Sequence, residues 1–312
     1  EEAIGVTLPD DYHANINIIS GSSFEGNKYG IYNEGGATIG TISGTEENPT
    51  TFSGNTEDGI YNEGTITTIS GVTFSGNKRG IENQLTTEAV WHKDQSATWN
   101  EETQQWENIS DGTMEKDGEY GHYETVTHAA HIGTIENSTF TNSTYRAIDN
   151  RGGVDLIKNV SIINDTQDDE GISNSGSITK IENLTMQNSN IVNWGFIGAS
   201  QEDAEAFVAE IQQKIAAGEI TEEEAAYLCV AQAEEWAEAG NKISGNFTNT
   251  LIGNVGLISD IDGNFETNTN SGVIENISYI GKVNGDFTYT GADDEATVAM
   301  TNDGFINTVD VN

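Results

Sequence analysis

Cysteine occurs once in the 312 residues, at Cys229, and this excludes an intrachain disulfide. Proline is confined to Pro9 and Pro49, so the chain is neither collagen-like nor Pro-rich disorder, even though glycine numbers 35. Basic residues are scarce, 12 Lys and Arg against 51 Asp and Glu, a formal charge of −39. Such a surface repels nucleic acid and anionic membrane, and no nucleic-acid partner is expected. No run of 18 apolar residues occurs, so no transmembrane helix and no direct membrane insertion are expected. No signal peptide opens at Glu1, and the expectation is a mature or trimmed chain.

What the chain has in quantity is repetition. The segment GIYNEGTITTISGVTFSGN, Gly59 to Asn77, recurs along most of its length. Read as strand, Ile60, Asn62, Gly64 and Ile66 share one face, because alternate side chains point the same way. The register then slips, since Ile66 and Ile69 lie three apart, and it slips again before Val72 and Phe74. A helix also uses that spacing, but Gly, Thr, Asn and β-branched residues are poor helix formers. Three short inward tracks joined by corners describe one turn of a β-solenoid.

The step N-x-G recurs at Asn33, Asn62, Asn150, Asn174, Asn193, Asn254, Asn270 and Asn302, and Ile-x-x-Ile or a relative follows most copies. Phe24 with Asn27, Phe52 with Asn55, Phe74 with Asn77 and Phe140 with Asn142 close turns. Undisturbed intervals of 16 to 27 residues are those of solenoid coils. The inward parity of Asn62 predicts stacked amides at a corner, with the glycine two places later permitting a tight bend. About ten coils at ~4.8 Å each would give a rod of roughly 45 Å.

The pattern N-x-G-x-I-x-x-I-x-G-x-x-F-x-x-N, seen at Asn62 to Asn77, resembles the passenger domains of bacterial autotransporters (type V secretion). The resemblance covers about two thirds of the chain, all but two insertions. It implies a right-handed parallel β-helix, secreted or exposed on an outer surface. Cysteine poverty fits the same resemblance, since such passengers cross the outer membrane unfolded. These proteins end in a membrane β-barrel and nothing of that kind follows Ile306, so a passenger without its translocator is expected.

In order, the expectation is an N-terminal cap at 1–15, coils at 16–83, an insertion at 84–131, coils at 132–196, a helical hairpin at 197–241 and coils at 242–312. The first insertion gathers Trp91, Trp99, Trp106, Tyr120 and Tyr123 in short alternating stretches that suggest a projecting β-hairpin. Aromatic rings among carboxylates and amides can stack on sugar faces, and equally can form the insertion's own core. His122, His128 and His131 carry metal-capable imidazoles near Glu124, in a spacing that matches no zinc motif. In the second insertion Ser200 to Asp203 and Thr221 to Glu224 read as helix caps ahead of apolar stripes, with Gly218 as the stop between them.

Two functions remain open on this reading. One is a non-enzymatic adhesive module that presents its insertions to a glycan or to a host or neighbouring cell. The other is a polysaccharide-active enzyme, for which Asp149, Arg151, Asp165, Asp168 and Asp169 are the nearest cluster. No catalytic residue is assigned and no cofactor is expected. Asp260 and Asp262 open like an EF-hand loop, but Phe265 stands where its glycine belongs, and calcium by that motif is rejected.

Overall fold

The structure is a computed structural model that describes residues 14–110, 112–165, 170–268, 273–291 and 300–311. The expected cap falls on residues outside this set apart from Ala14 and Asn15, and so do Asp168, Asp169, Asn270 and Gly272. The chain forms two compact units: Leu85–His128, and everything before and after it.

The larger unit is an all-β parallel solenoid. Its described strands make one sheet of 16 and one of 9, with parallel pairing throughout. The 16-stranded sheet is two stacks, one of Ile-x-x-Ile strands and one of Phe strands. They join where long strands such as Ser177–Gln187 and Leu257–Thr267 run through the corner between them.

The three inward tracks each become a ladder, because equivalent residues of successive coils pair in register. Ile39, Ile66, Ile132, Val154 and Ile178 stack in one column, and Ile42, Ile69, Ile135, Ile157 and Ile181 in the next. Phe24, Phe52, Phe74 and Phe140 stack face to face with centroids 4.5–5.0 Å apart, and Phe247, Phe265 and Phe287 repeat the arrangement. Ile162 and Met186 fill the column between these two groups. Parallel strands buried on the inner face thus form one continuous core.

A chain of amides, buried from Asn33 to Asn276, follows the fourth column. Asn33, Asn62, Asn83, Asn150, Asn174, Asn193, Asn254 and Asn276 each donate from Nδ2 to Oδ1 of the next, ending on Asn302, at 2.7–2.9 Å. The glycine after it serves a different purpose from the expected bend. A Cβ on Gly64 would lie 2.3 Å from the Ala37 carbonyl oxygen, and one on Gly176 would lie 2.1 Å from that of Gly152. The glycine is there because the backbone of the neighbouring coil lies directly against it.

Left-handed backbone occurs at other corners, where Gly71 and Asn137 occupy equivalent places at φ 65 and 50. Asn142 belongs to this class too, at φ 50, in the position of Gly54 and Gly76. It is therefore not the counterpart of Asn55 and Asn77, whose side chains bond each other at 2.8 Å. Asn tolerates left-handed geometry almost as glycine does, which explains the exchange.

Two helices follow the strand Phe196–Ile197: α1 (Gln201–Ala216) and α2 (Glu222–Glu238). The Ser200 hydroxyl accepts from the Asp203 N–H, and Thr221 with Glu224 forms a complete capping box. Trp236 of α2 meets Phe207 of α1 and Phe196 of the sheet edge to face. With Ala199, Ala204, Ala233 and Leu257 they form a second small core on the outside of the solenoid.

Candidate functional site

The smaller unit contains a three-stranded sheet of Leu85–Lys93, Glu119–Ala129 and Met114–Lys116, with a two-stranded hairpin of Thr98–Asn100 and Gln105–Glu107. The Asp94 carboxylate ties its ends, accepting from the Ser96 hydroxyl at 2.6 Å and from the Ser110 N–H at 2.7 Å. Those bonds hold its carboxyl well below the usual range.

Each aromatic residue expected to bind ligand lies in one of two groups here. Trp99 and Trp106 are directly opposite across the hairpin, edge to face at 5.7 Å, and Trp106 continues to Tyr120 at 5.6 Å. Trp91 meets Tyr123 at 5.1 Å, with the Lys116 ammonium over both rings at 5.4 and 5.0 Å. These contacts order the rings without burying them. Trp99 keeps 47% of its surface exposed and Tyr123 45%, and Trp91, Trp106 and Tyr120 are half-buried.

The three histidines are held by separate partners. The His122 ring stacks on His92 at 5.7 Å, and His92 Nε2 lies 3.2 Å from Glu124. The His128 carbonyl accepts a long bond from Thr86, and His131, in the solenoid, lies 3.2 Å from Asp155. Among the described residues no group of three or more His, Cys, Asp or Glu is placed to hold a metal ion.

The solenoid carries a second polar constellation, on the nine-stranded sheet. Register aligns Tyr29, Asp58, Arg79 and Arg146 in one column and Tyr32, Tyr61, Glu82 and Asp149 in another. Arg79 donates from Nε to Asp58 at 2.7 Å and from its guanidinium to Glu82, which also accepts from Gln84 at 2.6 Å. Arg146 bonds Asp149 at 2.9 Å, and Arg151 lies 3.5 Å from Asp149 and 3.7 Å from Glu82. Asp58, Glu82 and Asp149 are nonetheless buried, and Asp58 Oδ2 accepts no bond. Burial pushes the Asp58 carboxyl up to about 7, with Glu82 adding to the rise and Arg79 opposing it. Beside it Tyr32 and Tyr61 stack at 5.0 Å, and Glu63 accepts from the Tyr32 hydroxyl at 2.6 Å. That bond pushes the Tyr32 hydroxyl up to about 12.

Of the acidic cluster expected from sequence, Asp149 and Arg151 belong to this network, whereas Asp165 pairs with Asn142 at 2.9 Å. Asp58, Arg79 and Glu82 were not singled out from sequence. A legible signal existed, for each stands a fixed number of residues before its ladder Asn: four for Asp58 and Arg79, one for Glu82. Chemically the network links the buried Asp58 and Glu82 carboxyls through the Arg79 guanidinium, and it ties successive coils together.

No helix is long and apolar enough to cross a membrane among the described residues. No family model, curated protein or solved structure matches this chain.

Proposed function

We propose that the chain is a non-enzymatic surface-adhesive module: a right-handed β-helix of about ten coils that displays its insertions to a glycan or to a host or neighbouring cell. The repeat's likeness to autotransporter passengers supports a secreted or outer-surface location. The observation that carries the reading is the row Trp99, Trp106 and Tyr120, ordered by mutual edge-to-face contacts with Trp99 exposed and the other two only half-buried. Preordered aromatic rings offer contact area at low entropic cost, and Trp and Tyr are where binding energy concentrates.

The decisive test replaces Trp99 and Trp106 together with Ala. Binding to a glycan array or to cells should be lost while the melting temperature of the solenoid stays put. Undiminished binding by that variant would remove the row as the binding site. A second reading is a polysaccharide-active enzyme on the same fold. Incubation with acidic and neutral polysaccharides separates the two, because an adhesin leaves chain length unchanged.

A further inference from the structure

Helix α2 lies against the outer face of the 16-stranded sheet, far along the sequence from the insertion Leu85–His128. The helix comes close because residue 281 is glycine: a Cβ there would lie 3.2 Å from that of Ala233 and 2.4 Å from the Ser259 carbonyl oxygen. Between them is a cavity of about 290 Å³, lined chiefly by Glu234 and Glu238 of the helix and by Asp260, Lys282 and Thr308 of the sheet. Those three sheet residues are register partners on successive strands, Leu257–Thr267, Tyr279–Tyr289 and Phe305–Val311.

Asp260 forms part of the lining and is only 8% exposed. Asn284 donates to its Oδ1 at 3.1 Å, and among the described residues its Oδ2 accepts nothing. Neither neighbouring lysine neutralises it by direct contact. Lys242 is committed to Asp262 at 2.6 Å, and Lys282 forms no ion pair among the described residues. Burial accordingly pushes the Asp260 carboxyl up. The second carboxylate oxygen is thus left for water or a ligand's donor in the cavity to reach.

The lining sets the chemistry of what fits. Three carboxylates against one ammonium leave the cavity net negative and select a cation. The carboxylates are not gathered closely enough to hold a metal ion, which points to an organic cation. Lys282 and Thr308 add donors for oxygen atoms, and the volume, just under the ~300–1,000 Å³ of ordinary ligand pockets, limits the occupant to a small molecule such as a single sugar ring.

We propose that this cavity binds a small hydroxylated primary amine of the amino-sugar class, its ammonium on Asp260 and the helix carboxylates and its hydroxyls toward Lys282 and Thr308. The site is separate from the aromatic row and independent of the adhesive reading.

Calorimetric titration of the full chain with glucosamine, N-acetylglucosamine and CaCl₂ tests it. Glucosamine should bind, and the acetylated sugar, which has the same ring but no charge, should bind at least tenfold more weakly. Asp260→Asn should weaken glucosamine at least tenfold, and Glu238→Gln, on the helix surface, severalfold with the fold intact. Trp99→Ala/Trp106→Ala should leave glucosamine binding unchanged, so this proposal and the adhesive reading fail separately. Equal affinity for the two sugars, no binding at tens of millimolar, or undiminished binding by both carboxylate variants would overturn the proposal. Tighter binding of calcium with the same dependence on Asp260 would overturn it in favour of a cation site.

Discussion

Asn83 donates its side-chain amide to Asn150 at 2.8 Å although 67 residues separate them in sequence. The bond is as short as the one between Asn62 and Asn83, only 21 residues apart. The insertion between them therefore leaves no mark on the stack, and the Ala130 N–H bonds the Gln84 carbonyl at 2.9 Å where the chain returns.

Excising Leu85–His128 and joining Gln84 to Ala129 through a short Gly/Ser link should then leave a cooperatively folded, β-rich protein. Its melting temperature should stay within a few degrees of the parent's by circular dichroism. Removing Gln201–Ala239 should behave differently, since Trp236 and Ala233 cover Leu257 and the Phe196 ring. Burying such side chains is worth about 1.5–3 kcal/mol each, so this deletion should melt markedly lower. Equal melting temperatures for the two deletions would contradict the packing described.

Phe74 tests the core. Its ring lies between Phe52 at 5.0 Å and Phe140 at 4.5 Å and is fully buried. Phe74→Ala should cost ~3–5 kcal/mol in denaturant unfolding, because stacked coils on both sides restrict collapse into the gap. A variant that unfolds with the parent would place this ring outside the core.

Asp58 makes stability depend on pH in an unusual direction. Its folded carboxyl titrates near 7 against an ordinary 3.8, so between those values the folded state holds a proton that the unfolded chain has released. The group's stabilisation is therefore intact below about pH 4 and is lost as pH rises through 7. Relative to Asp58→Asn, which has no such proton to lose, the parent should weaken from pH 4.5 to 7.5. Parallel urea midpoints for the two proteins across that range would refute the assignment.

How much of this was legible in the sequence follows from the range of each interaction. The Ile66 and Ile69 spacing and the Asn62 parity are local and gave the ladders directly. The role of Gly64 was not local, since the atom that excludes a side chain belongs to Ala37 on the adjacent coil. Asn142 was misplaced by one position for a related reason: Phe-x-Gly-Asn and Phe-x-Asn-Ser look alike until backbone torsion separates them. The union of Asp58, Arg79 and Glu82 is visible only in columns that run across coils, because Asp58 lies on a different coil from the other two. The cavity under α2 was beyond reach, because it depends on where a helix settles on a sheet.

The asparagine column has a direction. From Asn33 to Asn276 every Nδ2 donates to the coil that follows, so the amide dipoles align head to tail along the stacking axis. Aligned amides polarise one another, each bond strengthening its neighbours by ~10–30%. The column is thus an electrically polar wire with distinguishable ends, and its members are chemically identical but not equivalent. Interrupting it at Asn174 divides one long chain of mutual polarisation into two short ones, whereas interrupting it at Asn302 only shortens it.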